Sequence, residues 1–440
     1  MFYRSLQKWL IIAVAFLPVA CGVGGKHYVK LEQYMASGQC GPALEDISAS
    51  RSQYGRNSKL LYHFDKGMVN LLCGRFVESA EALQNAERLA EELWTISISK
   101  EASTFLINEY AQAYGGEDFE KAMINVVSAV DYLLMEKPDD ALVECRRLDE
   151  KLQLYNDKYT KKNVYKEDAF GRYLSGIIYE SRGLLNDAYI DYRKAYEAYL
   201  DYKKYYETPV PAPLKKDLMR LARRLGFDDD LRQYRKSFRG LSVPLHKDIK
   251  SKGRLVLIQF DGLSPRKVQD KVVIATKTGP ITLAFPRFVT SRSGAGGASL
   301  VAVSSDSRHN FSGETFLAED IQKIALKNLD DRKSRVVAKT IARAVTKQAA
   351  FYGLSKAVTG DRRGQKALRQ ALNIANVFIE QADTRSWRTL PGRVYLSMAL
   401  VDPGSYKVSA DLKDGRTVQL GQVEVSAGRT KFLFLDTMYK

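Results

Sequence analysis

Ser304, Ser305, Asp306 and His309 bring the residue types of a hydrolase together within six positions of this 440-residue chain. A serine, an acid and a histidine can relay a proton, but catalytic triads are assembled in space from separate segments. Four neighbours in one loop do not meet that requirement. Ser293-Gly294-Ala295-Gly296-Gly297 is glycine-rich, yet it lacks the Lys-Ser/Thr pair and the following helix that a phosphate loop needs. It reads as a flexible hairpin loop. No HExxH, CxxC or GxSxG pattern occurs, and His27, His63 and His246 have no partners at ligand spacing. Cys40, Cys73 and Cys145 match no metal motif. They read as small buried packing residues, with a Cys40–Cys73 bridge between neighbouring repeats as the second reading. The sequence therefore predicts neither an enzyme nor a metal or cofactor site.

The charge pattern points to binding instead. The formal net charge is +17. Residues 1–240 carry 35 Lys/Arg and 34 Asp/Glu, whereas residues 241–440 carry 33 and 17. The excess thus belongs to the second half alone, and it implies an anionic partner there. Arg335, Lys339, Arg343 and Lys347 lie four apart in a helical segment, residues 334–358. Val337, Ile341, Ala344 and Val345 fall toward the other side, which predicts an amphipathic helix. Like charges at that spacing repel mildly, so the row does not serve the helix itself. Two readings of it stand: a solvated face, or a contact with a membrane surface or anionic polymer. Arg385, Trp387 and Arg388 form a second cluster, read either as an Arg–Trp stack pinning a crossover or as a recognition site.

These residues need a scaffold. From Lys26 to about Lys236, Tyr, Leu and Ala recur three and four apart, which predicts nearly continuous helix. In residues 169–200, Gly176, Tyr179, Gly183, Ala188, Tyr192 and Ala195 fall at the offsets of a TPR unit. Small residues let paired helices approach, and Gly183 suits a turn at positive φ. Residues 60–87 repeat the scheme, with weaker copies near Ala43 and Ala141. Tyr196, Tyr199 and Tyr202 to Tyr206 read as core and rim, or else as an aromatic groove for a partner segment. After a linker over 240–253, short strands bounded by turns predict a small antiparallel sandwich of the immunoglobulin or transthyretin kind. Helices at about 317–380, including a second one over 367–379, interrupt it.

The predicted fold class is therefore α+β multidomain. A TPR-like superhelix spans 26–240, and a basic β-rich domain with a helical insert spans 250–440.

Arg4 and Lys8 precede an apolar run from Trp9 to Pro18, the layout of a secretory signal over residues 1–21. Pro18-Val19-Ala20-Cys21 resembles a bacterial lipobox, with Pro18 where Leu is usual, so acylation is expected at Cys21. Gly22 follows it rather than Asp, making the outer membrane the default attachment.

Four stretches carry a wider resemblance. They are Asp65-Lys66-Gly67-Met68, Leu93-Trp94-Thr95-Ile96-Ser97-Ile98-Ser99, Asn186-Asp187-Ala188-Tyr189-Ile190 and Ala382-Asp383-Thr384-Arg385-Ser386-Trp387-Arg388-Thr389-Leu390-Pro391. Together they resemble a family of TPR-containing lipoproteins of Gram-negative bacteria, over nearly the full length. The resemblance implies an envelope location and a repeat scaffold without established catalytic residues. The expected function is a lipid-anchored periplasmic adaptor. Its repeats would bind a protein partner, and its basic half would bind anionic lipid, lipopolysaccharide or cell-wall polymer rather than nucleic acid. The alternative is an envelope or transport-complex subunit that oligomerises through the helical insert.

Overall fold

The computed structural model describes residues 25–100, 112–158, 165–242, 246–274, 281–291, 294–306, 309–358, 364 and 381–439. The expected signal, Cys21 and the helix expected over 367–379 lie outside them.

Among the described residues, five helical hairpins follow one another. They are α1 (Gly25–Ala36) with α2 (Cys40–Ala49), α3 (Lys59–Leu72) with α4 (Phe76–Lys100), and α5 (Asp118–Leu134) with α6 (Pro138–Lys158). Then come α7 (Ala169–Ser181) with α8 (Leu185–Tyr205), and α9 (Ala212–Leu225) with α10 (Asp228–Ser237). Every hairpin turns the same way. A residue at positive φ sits in each turn: Gly38, Gly74, Glu136, Gly183 and Gly226. The next amide closes back on the first helix, as Gln39 N to Tyr34 O, Arg75 N to Asn70 O, Lys137 N to Tyr132 O, Leu184 N to Tyr179 O and Phe227 N to Ala222 O. This is the left-handed C-cap that stops a helix and reverses the chain. Glycine fills it four times without a Cβ penalty, and the third hairpin carries Glu136 there instead.

Close approach inside a hairpin also follows from residue size. A Cβ at Gly176 would collide with the Tyr192 ring, and one at Gly67 with Leu83. Ala43, Ser79, Ala141 and Ala188 are all buried at equivalent positions of the second helices. Cys40 and Cys73 form a disulfide, with a Cα–Cα distance of 5.6 Å, between the first and second hairpins. The second reading of those cysteines is the one the structure takes, and Cys145 alone is the small buried packing residue.

The described residues of the second half contain ten strands. They are β1 (Gly253–Leu263), β2 (Arg266–Ile274), β3 (Ile281–Val289), β4 (Ala298–Ser304), β5 (Asn310–Glu314), β6 (Phe316–Asp320), β7 (Pro391–Val401), β8 (Gly404–Leu412), β9 (Thr417–Val425) and β10 (Thr430–Thr437). They make two four-stranded sheets, β10-β1-β7-β6 and β5-β4-β8-β9, and a separate β2–β3 arm. Leu255, Leu257, Ala399 and Leu433 of the first sheet share one core with Leu300, Val408, Ala410 and Val423 of the second.

The expected all-antiparallel pattern fails at one place: β10 pairs with β1 in parallel, Arg254 opposite Thr430. The reason lies in the turns. Asp414-Gly415 closes a hairpin within one sheet, but Pro403-Gly404 and Ala427-Gly428 carry the chain from one sheet to the other. The helical insert also begins later than expected. Residues 316–320 form β6, paired with β7, and the long helix α11 runs over Ile321–Val358.

Candidate binding surfaces

The first helices of the hairpins form a face, and the second half of this same chain sits against it. Two joints hold the halves together.

The amino-terminal joint is built around residues 383–389. Trp387 is fully buried and its ring stacks on Phe64 of α3, with centroids 4.2 Å apart and planes 14° from parallel. Its amide donates to Glu120 Oε1 at 2.7 Å, and its indole Nε1 donates to Thr389 Oγ1 at 3.0 Å. Thr389 in turn donates to Asp65 Oδ1 at 2.7 Å, while Tyr28 and Tyr54 each donate to Asp65 Oδ2 at 2.8 Å. Burial raises the Asp65 carboxyl above its ordinary value despite those three donors. Burial, then the neighbouring Glu117, raises Glu120 as well.

Arg385 donates to the carbonyls of Asn57 at 2.8 Å and Gln112 at 2.9 Å, pairs with Asp383, and lies over the Tyr114 ring. Arg388 covers Tyr28 at 4.0 Å and pairs with Glu32 at 3.1 Å. The expected Arg–Trp stack is therefore replaced by a Trp–Phe stack and two Arg–Tyr contacts. All three reach across to the helical half.

Glu117 adds an ionic node. It caps α5 in a reciprocal capping box with Glu120, and it pairs with Lys267 of β2 and Arg332 of α11. Burial would raise its pKa, but Arg332 and Lys267 outweigh burial and hold the carboxyl well below the usual range.

The second joint lies further along the helices. Glu180 of α7 is buried between Arg220 of α9 and Arg254 of β1, at 2.7 and 3.1 Å. Burial pushes its carboxyl up, and Arg254 and Arg220 overcome that push to hold it at about 2. Tyr199 donates to the Ala318 carbonyl at 2.9 Å, and Tyr202 to Glu319 Oε1 at 3.1 Å. Tyr173, Tyr192, Tyr199 and Tyr206 are buried. The tyrosine surplus is thus core and joint, and the aromatic groove it suggested is filled by β6 and its neighbours. Part of the excess positive charge of the second half meets carboxylates of the helical half at both joints.

The row on α11 does not form one exposed stripe. Arg335 is exposed and Lys339 half-buried, but Arg343 is only 2% exposed, and the Lys347 side chain lies outside the described residues. A step of four residues turns the helix by about 400°, so such a row drifts by about 40° per step. The drift carries Arg343 inward with Thr340 and Ala344, on the helix that packs against β3. Ile341 and Val345, expected inside, are exposed instead.

The other candidates resolve simply. Ser304 Oγ donates to Asp306 Oδ1 at 2.5 Å, and it accepts from the backbone amide of His309 at 3.0 Å, which makes a closed loop rather than a relay. Burial pushes the Cys145 thiol up to about 12, far from a nucleophile, and burial lowers His63 to about 4. Among the described residues no group of His, Cys, Asp and Glu is placed to hold a metal ion, and no helix is long and apolar enough to cross a membrane.

Sequence reasoning missed one hollow on the helical half. A cavity of about 250 Å³ opens between α4, α5 and α6, lined by Trp94, Lys121, Leu154 and Tyr155, with Glu87 and Lys151 among its polar residues. Lys121 Nζ lies 4.4 Å from the Trp94 ring centroid and 5.1 Å from that of Tyr155. A lone Trp94 within a helix rich in Glu was the available signal.

No family model matches the chain, and no curated protein matches it. Solved structures give partial likenesses. MamA AMB-1 is 10% identical, covering 50% of this chain and 93% of its own at a TM-score of 0.29. A Podosopora anserina chain of nearly identical TPR-like repeats is 14% identical, covering 48% and 91% at 0.30. BtubC from P. vanneervenii is 14% identical, covering 55% and 89% at 0.32. At such scores they carry no argument, and the architecture rests on the hairpins themselves.

Proposed function

We propose that this protein is a binding scaffold of the bacterial cell envelope, anchored by acyl chains at Cys21 and facing the periplasm from the outer membrane. The helical repeats, TPR-like in their offsets, bind a protein partner, and the basic half meets an anionic envelope surface. The observation that carries the reading is which faces are closed and which are open. The first-helix face is covered at two joints by the chain's own second half, whereas the cavity at Trp94 and Tyr155 is open among the described residues, with mixed charge around an aromatic floor. That combination suits a short segment of another protein, with aromatic rings supplying area and Lys121 and Lys151 orienting it. The Cys40–Cys73 disulfide supports an oxidising compartment.

Two measurements test this. Labelled palmitate should enter the full chain and not the Cys21→Ser variant. A photo-crosslinker at Leu154, exposed beside the cavity, should trap one defined envelope protein, and Trp94→Ala should abolish that adduct. Absence of any defined adduct would remove the scaffold reading. Its rival, self-assembly through the helical insert, would instead give adducts between copies from a crosslinker at Ile341 or Val345, both exposed on α11.

A further inference from the structure

Beside the amino-terminal joint lies a second cavity, of about 220 Å³. It is enclosed by α1, the start of α3, β2 and the 384–388 segment. Four cationic residues line it, Arg266, Lys267, Arg385 and Arg388, and no acidic residue does. A wider hollow shares Arg266 and Arg388 with it and adds Lys26 and Lys30.

The partners of those cations differ. Lys267 is engaged by Glu117, Arg385 by Asp383 and two carbonyls, and Arg388 by Glu32. Arg266 is exposed and makes no ion pair among the described residues.

Two further features point the same way. Ser386 is 3% exposed and lines the cavity, yet its hydroxyl has no hydrogen-bond partner. A buried hydroxyl left unbonded destabilises a fold unless something else completes it. The amino-terminal end of α3 also faces the space through Ser58 and Leu61, and Ser58 makes no side-chain capping bond. A helix start contributes positive potential to whatever sits before it.

We propose that this cavity binds a phosphate group, with Arg266 as the uncommitted cation and the Ser386 hydroxyl as a donor. Thr384 and Ser58 line the same space. A set of one guanidinium fork and several hydroxyls around a compact space suits a tetrahedral anion with three or four acceptor oxygens better than a two-oxygen carboxylate. The volume is below that of a drug-sized pocket, so the occupant is a phosphate with a small attached group. The proposal deepens the anionic-surface part of the proposed function by naming the chemistry and the place.

The test uses the full chain, titrated with inorganic phosphate and with glycerol phosphate at fixed ionic strength, and followed by calorimetry and by Tm. The expected result is saturable binding, weakened about tenfold or more by Arg266→Gln. Ser386→Ala should raise the Tm without phosphate and shrink the increment that phosphate adds. Arg416→Gln, at an exposed pair with Asp414 on the β8–β9 turn, should change neither. Absence of saturable binding, or equal affinity in the Arg266 and Ser386 variants and the unmutated chain, would overturn the site. Vesicles of phosphatidylglycerol, set against phosphatidylcholine, separate the sources. Competition with free phosphate assigns a lipid headgroup, and no competition assigns a soluble phosphate ester. Vesicle binding that persists without any phosphate binding would overturn this site while leaving the anionic-surface reading intact.

Discussion

The two joints between the halves use different means to do the same work. At the amino-terminal joint one aromatic side chain, Trp387, enters a pocket whose carboxyls, Asp65 and Glu120, are raised by burial. At the second joint Glu180 stays ionised, clamped by arginines from α9 and β1. The first joint centres on ring packing and hydrogen bonds to buried carboxyls, with the Glu117 ion pairs beside it, and the second centres on one clamped charge. The contrast teaches that a large excess of basic residues need not mark an outward-facing surface. Part of it here is spent inside the molecule.

The largest effect should come from breaking the first joint. Trp387→Ala removes a fully buried indole and its stack on Phe64, with an expected loss of about 3–5 kcal/mol in a chemical denaturation curve. A loss under 1 kcal/mol would mean that the segment is not seated there.

At the second joint, Glu180→Gln leaves Arg254 buried without its counter-charge and Arg220 with Asp217 alone. The expected cost is about 3–5 kcal/mol near neutral pH, read by the same method. The pH dependence sharpens the comparison. The folded pKa of Glu180 is depressed from 4.5 to about 2, so its stabilisation is fully present above about pH 4.5 and is lost as pH falls through about 2. Asp65 and Glu120 are raised, so theirs is present below the ordinary carboxyl range and is lost as pH rises through the folded values. Acid should therefore narrow the difference between the Glu180→Gln variant and the unmutated chain. It should not narrow that between the Asp65→Asn variant and the unmutated chain.

A smaller effect isolates the first hairpin, which supplies Tyr28 and Glu32 to the amino-terminal joint. Replacing Cys40 and Cys73 together by Ser should cost about 3 kcal/mol, with the first hairpin opening before the rest in hydrogen exchange. The smallest prediction is a gain. Glu136 occupies a left-handed turn position that four sister hairpins give to glycine, so Glu136→Gly should stabilise by about 1 kcal/mol. Its exposed pair with Lys431 gives up little in exchange.

The helical half was largely legible because its signals are local. Gly38, Gly74 and Gly183 mark turns, and Ala43, Ala141 and Ala188 mark close helix contacts, all within one hairpin each. The second half was less legible because its order is non-local. β5 and β6, with the sequences Asn310-Phe311-Ser312-Gly313-Glu314 and Phe316-Leu317-Ala318-Glu319-Asp320, lack the alternation that announces a strand and exist by pairing with β4 and β7. The parallel β1–β10 pair joins residues some 176 positions apart, such as Arg254 and Thr430, and no pattern within either segment encodes it. Arg385, Trp387 and Arg388 were visible as a cluster of residue types. Their partners Phe64, Asp65 and Glu120 lie hundreds of positions away, so the role could not be read from the segment itself. The α11 row misled because a spacing of four describes a spiral rather than a face.

The central claim is that the first-helix face of the repeats is occupied by the chain's own second half. The amide of Trp387 tests it most directly, because residues 381–387 form neither helix nor strand and this amide donates to Glu120 of α5. Hydrogen exchange of the full chain should show it exchanging as slowly as the cores of α3 and α5. Exchange of that amide at the rate of an open loop, with α3 and α5 still protected, would contradict the account.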